Sequence, residues 1–482
     1  MRGIQRDVVV VAVSCLLACC IARQSAGGPT IVGDGGDLEA VVAAARDGDV
    51  IEIRSNQSFG TLSWTDKHLT VQAGAGFTPT VRRILDIKGV RGGVGGEFRG
   101  LKISGPVVLT GGLSWPARFD FYDVDVRSEV SLGGTGDADV DVTFTNSKMS
   151  TVKLGGTGSL RCNSIFTDNE ISSVELSGTG SLVHSAVFRG NHFQNAYFHG
   201  TGDLTGHVLL EHNRFDGDLV ASAISDAHYE LTVRDNVVDG YASSGTGVTS
   251  VVEDNVLRSG FGGGTSFDDT ADITLLRNVI GDGIGFGFGS YSSTRVFAAN
   301  NLIVAGDDSV RSSGILLRSL YSTQRESTTD MSFVNNTVVG FEQGIAAVNA
   351  DRTSAGNSFR LSFENMLLYN DVDVEGLEQR EIRNSLISDG TFAGANGNFA
   401  GIPSLWPSGA LRAGSIGIDA GENLAALSLW TDAVGNRRIL DGDGDGVAVV
   451  DVGALEFVVP EPAASMLFIV GTLLLLVRNR VM

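Results

Sequence analysis

Phe144-Thr-Asn-Ser-Lys-Met149, Phe166-Thr-Asp-Asn-Glu-Ile171 and Phe188-Arg-Gly-Asn-His-Phe193 repeat one phrase three times. Each copy runs on to a Gly-Thr-Gly, at residues 156–158, 178–180 and 200–202, and Gly134-Thr135-Gly136 lies one step earlier. The step is 22 residues throughout. A fixed period in the 20s marks a solenoid, whose repeats bury their apolar sides against their neighbours.

Within one period, Val130-Ser-Leu132, Val152-Lys-Leu154, Val174-Glu-Leu176 and Ala196-Tyr-Phe198 alternate apolar and polar residues, as half-buried strands do. No segment between them has the length or the 3.6 spacing of a helix. The Leu-x-x-Leu-x-Leu frame of a leucine-rich repeat is absent. Two or three short strands per coil, turned by Gly, Asn and Thr, make a parallel β-helix.

The period continues as a series of asparagines, each two residues before an apolar residue: Asn169, Asn191, Asn213, Asn236, Asn255, Asn278, Asn301, Asn336, Asn365 and Asn384. Stacked coils place them at one turn, each amide bonding the next rung. Asn also tolerates the left-handed backbone that such turns use. The step widens to 35 residues before Asn336 and 29 before Asn365, which predicts loops inserted in two coils.

A solenoid grows by adding coils, so 482 residues do not force a division into domains. With 64 glycines and 8 prolines the composition suits a turn-rich β protein. The net charge of −21 argues against nucleic acid and anionic lipid as partners, since both demand a basic patch. It is compatible with calcium as a cofactor. Cys15, Cys19 and Cys20 fall in the N-terminal apolar run, leaving Cys162 alone in the body.

Residues 1–26 read as an export signal: Arg2 and Arg6 precede the apolar run Val8 to Ile21, and small residues follow. Leu16-Leu17-Ala18-Cys19 resembles a lipoprotein processing site. Residues 27–100 hold an N-terminal cap and the first coils. Asp37 caps a short helix with Leu38, Val41, Val42 and Ala45 on one face and Arg46 in its last turn, before the strand Val50–Ile53. Gly89 to Gly100 reads as a loose turn or an early insertion. The order Gly-Asp-Leu, helix, Gly-Asp-x-Ile resembles the opening of right-handed β-helix proteins of the pectate-lyase type. That resemblance implies an all-β fold: a single-stranded right-handed parallel β-helix solenoid with a short N-terminal capping helix over its open end.

Coils occupy residues 101–400, and the period fails from about Ile402. In residues 401–457, Gly414-Ser-Ile-Gly-Ile-Asp-Ala-Gly421, Asp432-Ala-Val-Gly-Asn-Arg437 and Asp451-Val-Gly-Ala-Leu-Glu456 resemble the terminal segment of bacterial surface β-helix proteins with interchangeable anchors. That implies a C-terminal cap. In residues 458–482, Pro460-Glu461-Pro462, the apolar run Ala463 to Val477 and then Arg478 and Arg480 resemble the PEP-CTERM sorting signal. The resemblance implies cleavage by an exosortase in bacteria that make extracellular polysaccharide. The run is shorter than the ~20 residues of a free-standing span, which suits a temporary membrane stop. The arginines would stay on the cytoplasmic side.

Three groups of residues are candidates for chemistry. Asp441, Asp443 and Asp445 alternate with glycines, a pattern that converges carboxylates on a hard cation such as calcium. The twelfth position, where a bidentate acid belongs, is Val452, and Asp451 lies one residue early. His184, His192, His199, His207, His212 and His228 are concentrated in the middle coils, but the period spreads most of them over separate columns. Lys148, Glu170, His192 and Arg214 share one outward column, as on a charged solvent face. Asp254, Asp268, Asp269 and Asp272 form the densest acidic group among the coils, and a glycosidase needs such carboxylates. A lyase would use an arginine there, from Arg234, Arg258, Arg277 or Arg295, because no lysine follows Lys153. No lyase motif surrounds these arginines, and the Gly-His-Gly and Arg-x-Lys companions of the polygalacturonase family are absent.

The expectation is therefore an exported, exosortase-processed β-helix of the bacterial envelope or extracellular matrix. Its role would be structural or adhesive, with extracellular polysaccharide as the partner. The alternative is a polysaccharide lyase or glycoside hydrolase with its site near residues 254–272 and the inserted loops at residues 307–336.

Overall fold

The computed structural model describes residues 28–459, apart from residues 86, 90–92, 110–116, 133–137, 156–158, 178–180, 202–203, 225–226, 266–268, 290, 307–312, 320–326, 349–357 and 427–428. It is an all-β parallel solenoid. One sheet stacks 16 strands in sequence order, from Thr30–Val32 to Ile382–Arg383. A second sheet runs beside it, fed by the shorter strands that follow each turn. The 22-residue period is the register itself: Ala138–Thr145, Leu160–Thr167 and Leu182–Arg189 pair residue for residue in parallel. Alternation then sends every second side chain inward.

The inward residues stack in columns. Phe98, Phe121, Phe144, Phe166 and Phe188 form one, with consecutive ring centroids 4.7, 4.3, 5.4 and 4.8 Å apart. Trp64 starts this column, 5.8 Å from Phe98. Here the glycine-rich stretch differs from expectation: Val94–Arg99 is a regular strand of the first sheet. Its Gly96 is buried, and a Cβ there would sit 2.9 Å from both Trp64 and Phe98. The glycine makes room for the indole.

The asparagine ladder forms, one position away from where left-handed backbone is needed. Asn191 Oδ1 accepts from both the backbone N (3.0 Å) and Nδ2 (2.9 Å) of Asn169, and Asn213 does the same for Asn191. The chain of bonds continues through Asn236, Asn255, Asn278 and Asn301 to Asn336. Positive φ belongs to the residue before each rung: Asp168, Gly190, His212, Asp235, Asp254, Arg277, Asn300 and Asn335. Gly190 serves there because it adopts φ +65° without a steric cost. Asn365 and Asn384 correct the sequence reading. They occupy the left-handed position, with φ of 54° and 49°, and Met366, Ser385 and Asn398 stand on the ladder instead.

Both ends are covered. Asp37 Oδ1 caps the helix Leu38–Ala44, which buries Leu38 and Val42. Glu39 Oε1 accepts from the edge amide of Thr61 at 2.7 Å, and Lys67 Nζ caps the helix carboxyl end on Val42 and Ala45. Lys67 does what Arg46 was expected to do, because the helix ends before Arg46. A free strand edge invites pairing with another chain, and the helix blocks it. At the other end Phe399 bridges to Leu386, closing the last coil.

Residues 402–459 fold back along the turn side of the late coils. Leu429 packs on Ala299 and Val334, Ala454 and Leu455 pack on Leu302, and Leu411 and Val452 pack on Leu367 and Leu386. Among the described residues no helix is long and apolar enough to cross a membrane. The export signal (residues 1–26), Pro460, Glu461, Pro462, Arg478 and Arg480 lie outside the described residues.

Candidate functional site

The acidic group of the coils is dispersed by its own register. Asp254 sits at a left-handed turn, at the far end of the first-sheet strand Val248–Glu253. Asp272 lies near the start of the next strand, level with Thr249. Five residues and one coil separate the two carboxylates, roughly 15 Å along the sheet. That exceeds the ~5–9.5 Å that paired glycosidase carboxyls need. Asp269 turns its Oδ1 back to the Thr270 amide at 2.7 Å. Asp268 lies outside the described residues.

Arginines on neighbouring coils engage the other acids. Arg277 grips Asp254 with two bonds of 2.8 and 2.7 Å and reaches Glu253 at 3.2 Å. Arg295 bonds Asp272 at 3.1 Å, and Arg258 bonds Asp239 at 2.6 Å. Arg234 shares Glu211 with Arg189. Burial pushes the Glu211 carboxyl up, but these two guanidiniums outweigh it and hold its pKa below the usual value. A guanidinium held by a carboxylate is a poor proton acceptor, so all four candidate arginines act as braces between coils.

The histidines separate as the period requires. His192 meets Asp216 at 2.7 Å, His207 meets Glu230 at 2.8 Å, and His199 meets Ser222 at 3.0 Å. His212 takes a left-handed turn, and His228 begins its strand. His184 points inward beside Cys162 on the preceding coil. Its Nε2 lies 3.1 Å from the Ser164 hydroxyl, and burial lowers its pKa to about 4, so the ring is neutral. Burial pushes the Cys162 thiol up to about 12, which leaves it unreactive. Lys148, Glu170, His192 and Arg214 do form one outward column.

The C-terminal segment brings together a different acidic set from the one its sequence suggested. Oxygens of Asp419, Asp441 and Asp443 lie within 4.8 Å of one another. Asp419 Oδ2 also accepts from the amides of Gly442 (2.9 Å) and Asp443 (2.7 Å), which folds the acidic loop over it. Asp445 accepts from Val447 and is not part of this group. Asp451 is buried and turned away, accepting from the amides of Asp419 and Phe457. Asp419 lies 22 residues before the loop, and the amides of Gly442 and Asp443 bring the loop onto its carboxylate.

A second arrangement had no sequence signal. Arg438 is buried with Glu456 at 2.8 Å, each side chain 1% exposed, and also donates to Gly453 O and Asn300 Oδ1. Burial raises Glu456 to about 7 and Asp451 to about 6. Asn365 exchanges two hydrogen bonds with the backbone of Glu422. These groups fasten the C-terminal segment to the turn column of the coils.

Compared with protein-family models, curated proteins and solved structures, the chain matches none.

Proposed function

We propose that this chain is an exported β-helix of the bacterial surface or extracellular matrix, processed by an exosortase. It acts as a structural or adhesive module in contact with polysaccharide. The observation that carries the non-catalytic part is the bracing of Asp254 by Arg277 and of Asp272 by Arg295. The acids and the bases an enzyme would use neutralise one another, coil to coil. Sorting rests on Pro460-Glu461-Pro462, the apolar run and Arg478 with Arg480. Calcium belongs to the same reading, held by Asp419, Asp441 and Asp443, where it would tie the acidic loop to the segment beneath it.

The test is to express the whole chain in a bacterium that has an exosortase and weigh the exported product. The reading expects a protein shortened within its C-terminal tail, while Pro460→Ala with Glu461→Ala stays full-length and cell-bound. Full-length wild-type protein retained in the cytoplasm would overturn it.

A further inference from the structure

The outer face of the first sheet carries an unpartnered apolar column. Ile165, Val187 and Leu209 are in register on consecutive coils, and the column continues through Thr232, Val251 and Thr274 to Phe297. Ile165 is 45% exposed, and Val183, in the same face, is 48% exposed. From Ile165 to Thr274 the column spans five coil steps, about 24 Å. Its far end is already covered, since Phe297 packs against the cluster that Leu429 of the C-terminal segment forms with Ala299 and Val334. The rest is bare.

Polar walls flank this rail on both sides. One wall holds the pairs Asp141–Asn163 (2.8 Å) and His207–Glu230 (2.8 Å). The other holds Glu211 between Arg189 and Arg234. The second wall alternates in sign, whereas the first carries Asp141, Glu230 and Asp272 and is net negative. An anionic chain would find no net positive field, and a cationic one would meet guanidiniums. A ligand fitting the rail presents a flat apolar face to Ile165, Val187 and Leu209 and a rim of uncharged donors and acceptors to the walls.

We propose that the first-sheet rail is the binding surface for an extended, uncharged polysaccharide, lying along the solenoid axis and ending at the C-terminal segment. Pyranose rings have this chemistry: a C–H face and a hydroxyl rim. The inference rests on the polysaccharide-contacting role proposed above and places it.

The test is affinity electrophoresis of the whole protein in gels with a soluble uncharged β-glucan, an uncharged galactomannan or polygalacturonate. Light scattering in parallel reports self-association. The expected result is retardation by an uncharged polymer and not by polygalacturonate. Ile165→Ser with Leu209→Ser weakens that retardation by about tenfold or more. The milder Ile165→Ala weakens it less, and Lys148→Ala on the other sheet leaves it unchanged. Both rail positions face solvent, and circular dichroism confirms that the variants fold. Retardation that survives the double substitution overturns the rail and leaves the polysaccharide role standing. No retardation by any polymer overturns both. Preference for polygalacturonate overturns the uncharged class, and self-association abolished by the rail variant would make a second copy the occupant.

Discussion

Arg438 donates from Nη2 to Oδ1 of Asn300, a turn residue 138 positions earlier, at 2.5 Å. The bond joins an irregular C-terminal segment to the most regular feature of the solenoid, its column of left-handed turn residues. In earlier coils that column is polar and varied: Asp168, His212, Asp235 and Arg277. Where the segment lies over it, the column becomes Asn300, Asn335 and Asn365, all buried. Short uncharged amides can be covered at a turn, and long charged side chains cannot without a partner.

Breaking this joint should free the segment and leave the coils intact. Arg438→Met strands Glu456 and the Asn300 carbonyl in a dry site, a loss of about 3–5 kcal/mol. Limited proteolysis with mass mapping should then show early cleavage within residues 402–459 and a resistant core ending near Phe399. Cleavage spread evenly over the coils would contradict this assignment.

The ladder and the turn column should respond differently to substitution. Asn213→Ala removes bonds to Asn191, Asn236 and Phe188 O and strands buried partners, which should cost about 2–4 kcal/mol. Asn384→Gly, at a half-exposed left-handed position, should stay within about 0.5 kcal/mol of wild type. Denaturant titration of both variants measures the difference.

His184 imposes a pH dependence. Its folded pKa of about 4 lies below the unfolded value near 6.5, so the folded state excludes the proton that the unfolded chain accepts. Its contribution is complete above pH 6.5 and is lost as pH falls from 6.5 to 4, by about 3 kcal/mol. His184→Gln should flatten that part of the stability–pH curve, measured by urea midpoints. An unchanged slope would assign the acid sensitivity to other groups.

Calcium should raise the thermal midpoint in a saturable way, by an amount equal to about 2.7 kcal/mol at a hundred times its dissociation constant. Asp419→Asn and Asp441→Asn should each abolish the rise, and Asp445→Asn should preserve most of it. Calorimetry against a chelator reads this directly.

The solenoid was legible because a period of 22 with alternating residues admits one register, and the Phe144, Phe166 and Phe188 stack follows from it. The slip at Asn365 and Asn384 has a physical cause. Asparagine suits both a buried amide ladder and a left-handed turn, and these positions are adjacent, so the residue type alone cannot separate them. Gly95 and Gly96 misled in the opposite direction. They resemble loop residues, yet they lie in a strand because Trp64 and His68 occupy the space of their side chains. Asp419 and Arg438 were hidden because their partners are distant in sequence and follow no period.

Our central proposal is that the acids of the coils brace the fold and do no chemistry. Its most direct test is product release from a panel of polysaccharides by the purified protein, with and without calcium, followed by reducing ends and unsaturated-product absorbance. The account predicts no release, and no difference between wild type and variants carrying Asp254→Asn with Asp272→Asn or Asp268→Ala with Asp269→Ala. Release by the wild type that disappears in either variant would contradict it and place an active site on these coils.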